Sequence, residues 1–121
     1  MSEVYHVKDF DSRREDRPEF PKDFKLVAFA ITDDLERAYF LTNHIDKAWT
    51  ENFSVVPIAG PHRSTSVGDV VVTSEGVHEV AAFGFDKLEH EPPEVPGYVR
   101  REVLRVIEEK KKAHKARKEE A

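Results

Sequence analysis

The heptad Arg63-Ser64-Thr65-Ser66-Val67-Gly68-Asp69 brings one guanidinium, three hydroxyls and a carboxylate into a single short stretch. Arg63 offers a planar fork of donors suited to a carboxylate or a phosphate, and the hydroxyls and amides of Ser64, Thr65 and Ser66 lie in a segment too polar to be core. Such a set could hold an anion. It is not a P-loop, because no lysine follows a glycine-rich run, and no helix follows to lend its dipole. Most of these residues also have local reasons to be there: Ser and Thr cap turns, Gly68 permits a tight bend, and Asp69 can bond nearby amides as a strand begins. Arg63 alone has no such local reason.

Other chemistries find less support. The six histidines, at positions 6, 44, 62, 78, 90 and 114, include no pair at i and i+4 on one helix, and Glu89-His90-Glu91 would splay on an extended chain. No metal and no cofactor is expected. Ser64, Ser66 or Ser74 could be grouped with His62 or His78 and Asp69, but no Gly-x-Ser-x-Gly elbow is present, so no enzyme is expected. Asn43 and Trp49 complete the candidate binding residues. Asn is a poor choice inside a helix, so its side chain either reaches the loop at 63–69 or faces water; Trp49 either covers the core edge with its N–H towards a carbonyl or is plain core, and plain core is the favoured reading.

These residues must be positioned by one domain. A chain of 121 residues supports a single core, and 36% charged residues with a net charge of −5 disfavour a protein that coats nucleic acid. Without cysteine there is no disulfide framework. The longest apolar run, Leu26 to Ile31, is far too short to span a bilayer, and no secretory leader is evident, so a cytoplasmic protein is expected.

Residues 1–24 read as a polar arm with at most a short edge strand near Val4 to Val7. Residues 25–95 read as an α+β core and residues 96–121 as a charged helix. Within the core, Lys25 to Thr32 has the continuous apolar character of a central strand. Thr32 or Asp33 can cap a helix from Asp34 to Ala48, whose Leu35, Ala38, Tyr39, Thr42 and Ile45 keep helical spacing. Short strands follow at 53–58, 69–73 and 77–85, with a turn at Ser74-Glu75-Gly76 and a bulge or close contact at Gly84. The order β-α-β-β-β-α implies a small, mostly antiparallel sheet with a helix on one face. The final helix begins near Pro96 to Val99 and runs on into a solvated stretch with six basic and four acidic residues, where Glu108 can pair with Lys112.

Three segments together, LERAYFLTNHIDKAW, HRSTSVGDVVV and AAFGFDKL, resemble the YodL-like domain of bacteriophage, plasmid and other mobile-element proteins. The resemblance covers about residues 35–88, and its most specific part is the R-S-x-S-V-G-D signature at 63–69, followed by Gly84-Phe85 near the hairpin's end. It implies an accessory protein, of the kind carried beside counter-defence or host-takeover functions, and brings no catalytic residue. The expected function is therefore binding to a host protein in the host cytoplasm. The alternative is a nucleic-acid or nucleotide phosphate held by the loop from Arg63 to Asp69. A homodimer through the last helix or a sheet edge is conceivable.

Overall fold

Among the described residues, six antiparallel strands and two α-helices form the α+β class that the residue pattern predicts. The computed structural model describes residues 1–8, 18–43, 48–58 and 63–120. The strands are β1 (Ser2–Val7), β2 (Phe24–Ala30), β3 (Val55–Pro57), β4 (Val70–Thr73), β5 (Gly76–Val80) and β6 (Phe85–Leu88), and the helices are α1 (Leu35–Leu41) and α2 (Gly97–Glu120). Their order across the sheet is β3-β2-β1-β4-β5-β6.

The main correction concerns the N-terminal arm. Its first residues do not form an edge strand: β1 lies at the middle of the sheet, pairing with β2 from Ser2↔Ala30 to Val7↔Phe24 and with β4 through Tyr5↔Val70 and Val4↔Val71. Residues 9–17 of the expected arm lie outside the described residues. What disguised β1 is its polar content. Ser2, Glu3 and His6 are all buried, and each has a hydrogen-bonding partner. A buried polar group is tolerated when it is bonded.

Alternation along the strands divides the core between the two faces. On one face Val4, Val27, Val71 and Val80 pack beneath Ala38 and Leu41 of α1 and beside Trp49. On the other, Phe29 and Val56 meet Val103 and Ile107 of α2, while Tyr5, Val70 and Val72 pack with Phe20 and Phe24. Each fully buried valine or leucine of this kind contributes about 1.5–3 kcal/mol relative to exposure.

α1 is shorter than its apolar spacing predicts. Asp34 caps it, accepting from the Arg37 amide at 3.0 Å, and Leu35, Ala38 and Leu41 face inward. It stops at Thr42 because other partners take its end. The Thr42 hydroxyl donates back to the Ala38 carbonyl at 2.9 Å, the Thr42 carbonyl accepts from the Thr65 amide, and the Asn52 side chain donates to the Leu41 carbonyl. Residues 44–47 of the longer helix lie outside the described residues, and Trp49–Glu51 form a single 3₁₀ turn.

The single returning strand expected over 77–85 is two strands. Gly84 is not a bulge but a turn residue at φ +75°, and the turn from Ala81 to Gly84 closes with the Ala81 amide donating to the Gly84 carbonyl. α2 starts where expected and is about 36 Å long at 1.5 Å per residue. It is tied down near its start by Arg100, which bonds Glu3 at 3.2 Å, and just past its midpoint by Lys110, whose ammonium donates to the Asn52, Phe53 and Val55 carbonyls.

Candidate functional site

The loop at 63–69 folds onto its own carboxylate. Asp69 is fully buried, and both of its oxygens face the Arg63 guanidinium in a two-pronged pair, with Nη1 to Oδ2 and Nη2 to Oδ1 each at 2.6 Å. The Ser66 amide donates to Oδ2 at 2.8 Å and the Val7 amide of β1 donates to Oδ1 at 3.1 Å. Arg63 also reaches the Ser64 carbonyl and the Ser66 hydroxyl. The pair therefore ties the loop to the end of the central strand. Gly68, at φ +95°, makes the bend that lets the Asp69 amide donate to the Ser66 carbonyl.

Behind this pair runs a buried chain of hydroxyls. The Thr65 hydroxyl donates to the Thr42 hydroxyl at 2.8 Å, which in turn donates to the Ala38 carbonyl. With its one proton committed, the Thr65 oxygen must accept from His6 Nε2, 2.8 Å away, so the His6 ring carries a hydrogen on Nε2. That nitrogen also lies 3.9 Å from Asp69 Oδ2. Asn43 donates to the Thr65 carbonyl at 2.5 Å and to the Tyr39 hydroxyl at 2.8 Å, and Trp49 Nε1 donates to the Arg63 carbonyl at 2.9 Å.

All seven sequence-predicted site residues thus gather in one network: Asn43 bonds the loop rather than water, and Trp49 is buried in the core as favoured but also donates to the loop. His6 and Thr42 are the members that spacing could not reveal. His6 lies 59 residues from Thr65 in sequence, and only the strand order brings it near.

The chemistry open to this network follows from its burial. Thr65, His6 and Asp69 are residue types that serve as nucleophile, base and acid, but their relative exposures are 0%, 1% and 0%. In this arrangement they face one another, and Arg63 spends its fork on Asp69. His62 lies outside the described residues. Among the described residues no three His, Asp or Glu side chains gather as metal ligands, and no helix is long and apolar enough to cross a membrane.

A second region is open to solvent. Two clefts, of about 630 and 280 Å³, flank α1 and share Glu36 and Phe85 in their walls. The first is lined by Asp33, Asp34, Glu36 and Glu75; the second by Tyr39, Val67, Ala82 and Phe85 among others. Asp33 accepts from both the hydroxyl and the amide of Ser74, and these bonds hold its carboxyl below the usual range. Tyr39 and Phe85 meet edge to face, with ring centres 6.3 Å apart. Comparison of the chain with family models, curated proteins and solved structures finds no match.

Proposed function

We propose that this chain is a non-enzymatic binding protein, accessory to a bacteriophage or other mobile element, that acts in the host cytoplasm by engaging a host protein. The resemblance to the YodL-like domain motivates the source. The observation that carries the mode of action is the inward commitment of the 63–69 signature: Arg63 is neutralised by Asp69, and Thr65 is sealed beneath the surface. On this reading the signature is a scaffold, and recognition belongs to what the scaffold presents. Val67, in the middle of the signature, is 56% exposed beside α1, and Phe83 of the β5–β6 turn is 97% exposed. Aromatic side chains left in water are the usual anchors of protein contacts.

The phosphate alternative would require the guanidinium to leave Asp69. That would leave the buried carboxylate with its two amides but no counter-charge, at a penalty of about 2–3 kcal/mol, before any phosphate contact formed. Affinity purification of the tagged chain from a bacterial host lysate tests the binding reading. One host protein should be retained in near-equal amount, and recovery of none overturns it.

A further inference from the structure

The two clefts beside α1 are two halves of one groove of graded character. Glu36 and Phe85 belong to both, so the surface runs without a break from the start of α1 to the β5–β6 turn. One half carries the carboxylates of Asp33, Asp34, Glu36 and Glu75. The other is walled by Tyr39, Val67, Val80 and Phe85, and Phe83 stands in solvent between its lining residues Ala82 and Gly84. Among the described residues no lysine or arginine lines either half.

The groove is also held in shape. Tyr39 is fixed by the Asn43 side chain, which bonds the signature loop, and Val67 sits on the bend that Asp69 and Gly68 create. Asp33 is clamped to Ser74 of the β4–β5 turn. The internal network at 63–69 therefore sets the walls of an external surface.

We propose that this groove is the docking surface, and that its occupant is a short segment of a partner protein with a basic end followed by bulky apolar side chains. This rests on the binding reading above and adds the place and the chemistry. Charge complementarity selects the occupant. Four carboxylates, with no lysine or arginine among the described residues of the groove lining, attract Lys or Arg and repel phosphate, which disfavours nucleic acid in this groove. The apolar half, at about 280 Å³, takes one or two large side chains. Phe83 closes over them and loses its exposure to water.

The test uses a synthetic peptide with two arginines at one end and a leucine and a tryptophan four residues further on. Its control carries two glutamates in place of the arginines. Each is titrated into the ¹⁵N-labelled chain at low salt. Saturable shifts are expected at Glu36, Tyr39, Val67 and residues 80–85, with at least tenfold weaker binding by the control and by the Glu36→Lys and Phe83→Ser variants. Both substitutions are at exposed positions, and an unchanged amide spectrum verifies the fold. Shifts centred on α2 or Phe53, equal binding by the control, or no saturation up to about 1 mM peptide overturns the proposal. Repeating the lysate purification with the Glu36→Lys/Phe83→Ser double variant separates the two readings. A host protein that both the wild type and the double variant retain leaves the binding reading standing and removes the groove. A host protein absent even from the wild type removes the binding reading itself.

Discussion

Arg63 with Asp69 and Arg105 with Glu102 and Glu109 are the same chemistry in two settings. The first pair joins a loop to a fully buried carboxylate that also accepts two backbone amides, one of them from the central strand. The second set lies on the solvent side of α2, with more than half of each side chain exposed, and links residues one turn apart on a helix that is already formed. Water and salt screen the second set, while low dielectric and shared amides strengthen the first. An ion pair matters here according to what else depends on it. Removing the first unfastens β1 from the loop; removing the second unfastens nothing.

Asp69→Ala carries the largest expected effect. It leaves the Val7 and Ser66 amides without their acceptor and Arg63 without its counter-charge, and should lower unfolding free energy by about 3–5 kcal/mol in a urea titration. Arg63→Ala should do less, about 2–3 kcal/mol, because Asp69 keeps both amides and Arg63 is already 30% exposed. A double-mutant cycle on the two should show strong coupling. Additivity within error would remove the contrast between the two settings.

The same distinction explains how much could be read in advance. Apolar runs and turn residues marked β2, β4, the Ser74 turn and the start of α2, because burial there is written in residue type. The seven site residues were legible as a polar cluster, but Arg63 was the one with no local explanation. Its partner is six residues away, and nothing in the spacing says that the fork turns inward. β1 was hidden for a related reason. Glu3 and His6 look like surface residues until Tyr5, Arg100 and Thr65, brought close by the fold, are seen to satisfy them. The turn at 81–84 was hidden in the opposite way, since Ala81, Ala82 and Phe83 read as strand and only the positive φ of Gly84 breaks it.

Glu3 with Arg100 is an intermediate case, 10% and 44% exposed, and it carries a pH signature. Burial, then the Glu3 charge and the hydrogen bond donated to it, push the Tyr5 hydroxyl well above the ordinary tyrosine value of 10.0. The folded chain thus keeps a proton that the unfolded chain releases, so this contribution is complete below pH 10 and falls as pH rises beyond it. Urea titrations across that range should show Tyr5→Phe declining less steeply than the wild type. At neutral pH the same substitution should cost about 1–2 kcal/mol for the lost bond to a charged acceptor. Equal slopes would place the alkaline loss elsewhere.

Glu102→Gln should have the smallest effect. Its hydrogen bond to Arg105 holds the Glu102 carboxyl below the usual range, so any stabilisation is present above the ordinary glutamate value and is lost as pH falls. Arg105 retains Glu109 in the variant, and both groups were already solvated. The urea midpoint at pH 7 and about 0.15 M salt should match the wild type within error, and lowering the salt should separate them only slightly. A midpoint shift comparable to that of Arg63→Ala would mean that α2 transmits strain to the sheet through its exposed face, and the two settings would no longer differ in kind.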